Sequence, residues 1–484
     1  MTLDNAPMFI KRLDSLLLLV LITARVRIDT IADLTAPRPV ETIQKVAWLK
    51  ALLSEQAWQL LEDWLTDPLS LLLIAITFGL AMVYVLLDLK AEDSKFKGQG
   101  STSHLHPPNN DPLPITHYHL KLCLIYAIVF ITVIAQASYL ILLRRVTGPA
   151  AYTHDGGVIQ TEATLQFLLQ GKNPYVENYT QTPMAQWGLD PRTALYHYPY
   201  LPWTFLFSLP FYLVSHATLG WYDQRFVYLL LFILMLLIAP RLADGRMESL
   251  ILTMTLGLNP IMGSDVIFGQ NDSFVLFWLI LALYLSHWEL VISKWRISRG
   301  VLSLIGFALA CASKPTAWFC APFFFAYMLR ATGHIVSAKQ LPITNYLLRL
   351  SSFCIPFLLI VLPFFLWDPY HFYDDVWAWS AGTSPTAYQI RGWGLANFVL
   401  AFNWVSSRLD YFPFWIPELI VCAPLLVVLL RRQWRENTIA HIAWHGALLL
   451  FAYAFTSRFF NENYLGFIVG LLAVGACMRP AVEG

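Results

Sequence analysis

Long apolar runs broken by short polar punctuation set the pattern of this chain. Runs that can span roughly 30 Å of hydrocarbon, or nearly so with their flanks, lie near 68–88, 119–143, 226–240, 249–263, 273–292 and 300–313. Others lie near 316–330, 347–367, 411–430, 438–456 and 464–478. The pattern predicts an all-α fold: a polytopic transmembrane helical bundle of about 11–13 spans, with surface-lying helices in its first large outer loop.

Some segments fall outside this scheme. Leu201 to Thr218 is apolar enough to cross, but the count of crossings between 119 and 241 leaves it no place, which predicts a re-entrant or surface-lying helix. Over 41–66, Trp48, Leu49, Leu52, Trp58, Leu61 and Trp64 recur at helical spacing among charged residues, as in an interfacial helix. The stretch 89–118, with His-Pro-Pro and Asn-Asn-Asp-Pro, reads as a polar linker. Together these divide the chain into an N-terminal membrane-associated appendage over 1–118, holding one span at 68–88, and a core over 119–484. Lys11 and Arg12 precede the apolar run Leu16 to Ala24 without a small-residue cleavage site, as in an uncleaved anchor or a membrane-dipping helix.

Cationic loops stay cytoplasmic, so Lys and Arg report orientation. Lys90, Lys95, Lys97 and Lys121 mark one such loop; Arg241 with Arg246, then Lys294 with Arg296 and Arg299, then Arg330, Lys339 and Arg349, then Arg431, Arg432 and Arg435 mark alternate loops thereafter. The alternation gathers Gly269-Gln270-Asn271-Asp272, Ser313-Lys314-Pro315, the 368–410 loop and Ser457 to Tyr464 on the outer face.

Composition agrees with this class. Of 484 residues 57% are hydrophobic and only 13% charged, against roughly 25% charged in soluble domains. A formal net charge of +1 supplies no basic field for nucleic acid. The six cysteines sit singly in apolar runs, without the close pairing of a zinc or CxxC site. His104, His106, His117 and His119 read as linker histidines rather than as a metal site.

Candidate chemistry collects in the outer loops. Asp155, in Tyr152-Thr153-His154-Asp155-Gly156-Gly157, opens a helical stretch that ends at Gly171 and Asn173-Pro174. Its position suits a general base facing a lipid-borne head group and suits a helix N-cap equally. Asp272 precedes an apolar helix and is open to the same two readings, whereas the neutral amides of Gln270 and Asn271 suit hydroxyl recognition in a sugar or acceptor. Lys314, Arg391 and Arg458, together with Arg144 and Arg145, are cations on the side where cations are disfavoured, and so are candidates for phosphate contact or for snorkelling. Tyr196, Tyr198, Tyr200 and Trp203, then Trp367, Trp377, Trp379, Tyr388 and Trp393, fit an interfacial aromatic belt and equally a stacking surface for sugars.

In this order, Asp155, Gly171-Lys172-Asn173-Pro174-Tyr175, Tyr198-Pro199-Tyr200-Leu201-Pro202, Gly269-Gln270-Asn271-Asp272, Lys314-Pro315-Thr316 and Asn461-Glu462-Asn463-Tyr464 resemble the GT-C class of membrane glycosyltransferases. The resemblance is greatest to the family 87 polyprenyl-phosphate-mannose-dependent mannosyltransferases and covers roughly 119 to 478. Family members often read Tyr-Pro-Pro where this chain has Tyr198-Pro199-Tyr200. The resemblance implies an inverting enzyme in the cell membrane, with its active site on the outer face. A first-loop acid, matched by Asp155, deprotonates a hydroxyl of a glycan, lipid or protein acceptor, and the sugar, most often mannose, leaves a polyprenyl-phosphate carrier. The expected sites are Asp155 as catalytic base, Lys314, Arg391 and Arg458 for the donor phosphate, and Tyr198, Gln270, Asn271 and Asp272 for sugar or acceptor.

The chemistry needs only those parts. A glycosidase requires paired carboxylates because its leaving alkoxide must be protonated, but a phosphate leaves as an anion that nearby cations stabilise. With no Gly-rich nucleotide loop and no DxD string in the sequence, neither a cofactor nor a divalent metal is expected. Two other classes fit a many-helix membrane protein: a lipid or sugar transporter or flippase, and a lipid-linked glycan polymerase or ligase. Transporters keep ionisable groups near the bilayer centre and commonly show internal repeats, whereas polar groups here cluster in outer loops. A polymerase or ligase would rely on outer-loop Arg without needing Asp155.

Overall fold

The structure is a computed structural model that describes residues 13–35, 55, 73–87, 114–186, 193–286, 290–292, 295–297, 299–331 and 343–478. The expected interfacial helix at 41–66, apart from Glu55, lies outside the described residues, as does the expected linker at 89–118 up to 113; 115–118 are helical instead, as the start of Ile115–Val129. What is described is mostly helical, and the chain divides into two compact units: 1–136 with 245–263, and 137–244 with 264–484.

In the first unit, Arg246–Leu258 packs on Leu13–Thr35 and on Ile115–Val129. A buried polar knot ties the helices: the Lys121 ammonium lies 2.6 Å from Asp14, and the Tyr84 hydroxyl donates to the same carboxylate at 2.8 Å. Lys121, expected in a solvated cationic loop, is therefore a buried ion-pair partner, because Asp14 neutralises it inside the unit. A guanidinium nitrogen of Arg25 donates to the Pro260 carbonyl at 2.9 Å.

In the second unit, Asp272–Leu285 is apolar and buried on all sides, as befits a central helix. It packs on Arg225–Leu242, Arg299–Cys311 and Glu462–Cys477. Gly306 allows the close approach to Arg299–Cys311, since a Cβ there would lie 3.1 Å from the Ala282 Cα. Ala440–Thr456 packs on Glu462–Cys477 and on Trp415–Arg435. The expected ending after 160–169 is found: Thr161–Leu169 stops before Gly171, which takes the left-handed φ of +75° that a helix C-terminus favours.

Among the described residues, Ile115–Thr147, Arg225–Leu242 and Leu347–Trp367 are long and apolar enough to cross a membrane, and a fourth span results if the bent pair Arg246–Leu258 and Pro260–Phe268 counts as one. This is fewer than the expected number. The reason is local: several apolar runs are cut short. The run at 273–292 stops being helical at Leu285, and Leu290–Ile292 pairs antiparallel with Trp295–Ile297. The run at 316–330 starts with a 3-10 turn, Pro315–Cys320, before Ala321–Ala331. Glu462–Cys477, with 16 residues, is about 24 Å long at 1.5 Å per residue, short of the hydrocarbon core. Leu347–Trp367 still exposes Leu347, Leu359 and Leu366 by more than half, a surface suited to lipid. The segment expected to be a re-entrant or surface-lying helix forms a 17-residue helix, Trp203–Leu219, with Pro210 inside it; its start is fixed where the Trp203 and Leu201 amides donate to the Ala312 and Ser313 carbonyls.

Candidate active site

The polar loops of the second unit are held together by backbone contacts that only glycine permits. A Cβ on Gly157 would lie 1.9 Å from the Gly269 carbonyl oxygen, and one on Gly269, whose φ is +83°, would lie 2.2 Å from Val158. The His154 amide donates to the Phe268 carbonyl at 2.7 Å, so the turn before Asp272–Leu285 lies directly against the first loop. There Asp155–Gln160 forms a π-helical turn, an irregularity common at functional sites.

Around this junction lies a cavity of about 780 Å³. Its lining combines polar residues, among them His154, Gln270, Asn271, Asp272, Lys314, Arg391 and Asn463, with apolar and aromatic ones, among them Trp318, Phe319, Trp415, Leu449, Leu450 and Tyr453. Within this lining Lys314 sits 2.7 Å from one Asp272 oxygen and donates to Asn271 at 3.2 Å, while Asn463 donates to the other Asp272 oxygen. The rings of Tyr200 and Tyr464 flank the ammonium, with centroids 5.7 and 5.3 Å away. The capping reading of Asp272 fails, since no side chain caps this helix and both carboxylate oxygens are engaged elsewhere.

The sequence-derived residues separate into groups. Gln270, Asn271, Asp272, Lys314, Arg391 and Arg458 all border the cavity. The side chain of Asp155 lies outside the described residues, but its neighbours His154 and Gly156 both line the cavity. Tyr198 does not line it. That side chain is fully buried against Tyr175, Tyr200 and Phe205, and it is Tyr200, two residues on, that faces Lys314.

The cations differ in what they have left to offer. The Arg458 guanidinium is buried and donates to the carbonyls of Tyr388, Arg408, Leu409 and Asp410, a structural post that leaves little for a ligand. Burial pushes it down to about 10. A Cβ on Gly382 would overlap that guanidinium, which explains a glycine there. Arg391, in a two-residue strand parallel to Phe459–Phe460, makes no side-chain hydrogen bond or ion pair among the described residues and is free to meet an anion. Arg144 and Arg145 serve structure instead. Arg144 bridges Glu162 and Asp223 at 2.7 and 2.8 Å, and Arg145 lies over the Trp221 ring.

Residues missed in sequence include Glu418, the aromatic wall formed by Trp318, Trp415 and Tyr453, and a buried cluster behind the cavity. In that cluster His197 Nδ1 lies 2.8 Å from Asp375 and its Nε2 lies 2.6 Å from the Thr386 hydroxyl, while the Tyr198 amide donates to Asp375 at 2.8 Å. Desolvation pushes the Asp375 carboxyl up to about 6 against the opposing pull of His197. No short string marks these residues; only their apposition across 178 positions shows the cluster.

Compared with known proteins, the chain matches no family model, no curated sequence and no solved structure.

Proposed function

We propose that the chain is a GT-C-like membrane glycosyltransferase that moves a sugar, most simply mannose, from a polyprenyl phosphate to a hydroxyl acceptor on the outer membrane face, with inversion. The observation that carries this reading is a single amphipathic cavity bordered by residues from five distant segments, at 154–156, 270–272, 314, 391 and 461–464. A lipid-linked sugar has the matching polarity: a charged, hydroxyl-rich head beside a long apolar tail.

In this reading Arg391 meets the departing phosphate, and Lys314, held by Asp272 and Asn271, adds charge beside it. Gln270 and Asn271 offer amides to sugar hydroxyls, and Tyr200 supplies the ring facing the head group. Asp155 takes the acceptor proton, with general-base help worth about 10²–10⁴ in rate. No metal is assigned to this step. The shorter apolar helices complete a polytopic bundle in which flanking residues and bilayer thinning make up the missing length.

The test is transfer of label from radiolabelled polyprenyl-phosphate-mannose, glucose or arabinose to a membrane lipid extract by protein in nanodiscs, alongside flux of the same donors in sealed proteoliposomes. Label in glycolipid or glycan supports the reading. Flux across the vesicle without transfer replaces it with a transporter.

A further inference from the structure

From the cluster behind the cavity we infer a divalent-cation site formed by His197 Nδ1, Asp374 Oδ2 and Asp375 Oδ1. The three ligand atoms lie within 4.8 Å of one another. Asp375 Oδ1 is 2.8 Å and Asp374 Oδ2 3.5 Å from the ring nitrogen. Ligands about 2.1 Å from a shared ion are about 3.0 Å apart at adjacent octahedral corners and about 3.4 Å apart at tetrahedral ones, so these spacings suit a common cation.

Charge points the same way. Two adjacent carboxylates converge on one imidazole nitrogen, which carries at most one proton and can serve only one of them fully. His197 and Asp375 are 3% exposed and Asp374 19%, so both carboxylates and the imidazole nitrogen converge in a largely dry site. A dication neutralises both and takes the nitrogen lone pair as well.

The surroundings hold each ligand as metal sites hold theirs. The Thr386 hydroxyl lies 2.6 Å from Nε2, fixing the ring so that Nδ1 faces the carboxylates. The Tyr198 amide donates to the second Asp375 oxygen at 2.8 Å, and the Ser384 hydroxyl to Asp374 at 3.2 Å. One nitrogen and two carboxylate oxygens suit a first-row ion such as Mn²⁺ or Zn²⁺. Leu195 and Pro199, on either side of His197, line the cavity, so the ion would clip that wall to the Asp374–Ala378 turn. Nothing in this inference depends on sugar transfer.

The full chain, purified in detergent, stripped with EDTA and given Mn²⁺, is expected to retain about one equivalent through gel filtration. Its electron spin-echo modulation is expected to show a directly bound imidazole nitrogen. Asp374→Asn and Thr386→Val should each weaken Mn²⁺ binding by about 10–100-fold at unchanged elution volume. If either variant misfolds, the nitrogen signal of the unaltered protein decides alone. Retention of neither Mn²⁺ nor Zn²⁺, or binding that lacks the nitrogen signal, overturns the site and leaves a hydrogen-bonded cluster.

Discussion

Removing both partners of the Lys314–Asp272 pair should cost clearly less than the sum of removing each alone. The charges are 2.7 Å apart, with side chains 11% and 1% exposed. At an effective dielectric of about 20 and the observed 2.7 Å, unit charges attract by roughly 6 kcal/mol before desolvation is counted. Desolvation offsets much of that, but an orphaned buried charge typically costs about 3–5 kcal/mol. Lys314→Met and Asp272→Leu are thus each expected to destabilise by about 3 kcal/mol or more. The double variant should fall short of their sum by about 2 kcal/mol, the coupling expected of residues in direct contact. Tryptophan fluorescence during SDS titration in mixed micelles reads this directly, since the chain has 18 tryptophans as reporters. Single variants costing under ~1 kcal/mol and adding without coupling would refute the pairing.

Arg391→Ala, removing a cation that makes no side-chain hydrogen bond or ion pair among the described residues, should raise the donor KM and lower kcat/KM by about 10–100-fold, the worth of a charge-assisted contact, with little change in unfolding; an unchanged kcat/KM would exclude phosphate contact. Gly157→Ala should lose about 2 kcal/mol or more of stability in the same titration, because its Cβ would meet the Gly269 carbonyl at 1.9 Å; unchanged stability would count against the close approach of the two turns. Although burial raises it, the Asp223 carboxyl is held below its ordinary value of 3.8 by the guanidinium groups of Arg225 and Arg144. Its stabilisation is present above pH 3.8 and is lost as pH falls through the lowered value, so Asp223→Asn should flatten the acid limb of stability against pH. An acid limb as steep as that of the parent would contradict this.

The legible part of the molecule was what periodicity and order along the chain can carry. Apolar runs marked most of the helices, and Gly171 and Asn173-Pro174 marked a helix end that the structure has. The polar motifs read as outer loops also border one cavity, because each sits where an apolar helix stops. Partnership was not legible. Lys314 and Asp272 are 42 positions apart, and Arg144 meets Asp223 across 79, so the carboxylate partners of two cations that suited phosphate contact or snorkelling could not be read along the chain. Tyr198 and Tyr200 have the same composition signal; which of them faces the cavity depends on packing against Tyr175 and Phe205. Run length also misled at 290–292, the end of the 273–292 run, which pairs with Trp295–Ile297 as a strand instead of continuing the helix.

The account rests most heavily on Asp155, and the most direct measurement is single-turnover transfer of radiolabelled mannose from polyprenyl phosphate by the parent and by Asp155→Asn, both in nanodiscs and both shown to be folded. The account predicts transfer by the parent and a loss of about 10²–10⁴ in the variant, with donor binding retained. Equal transfer by both proteins would contradict it, and Asp155 would then be only the first residue of a helical turn.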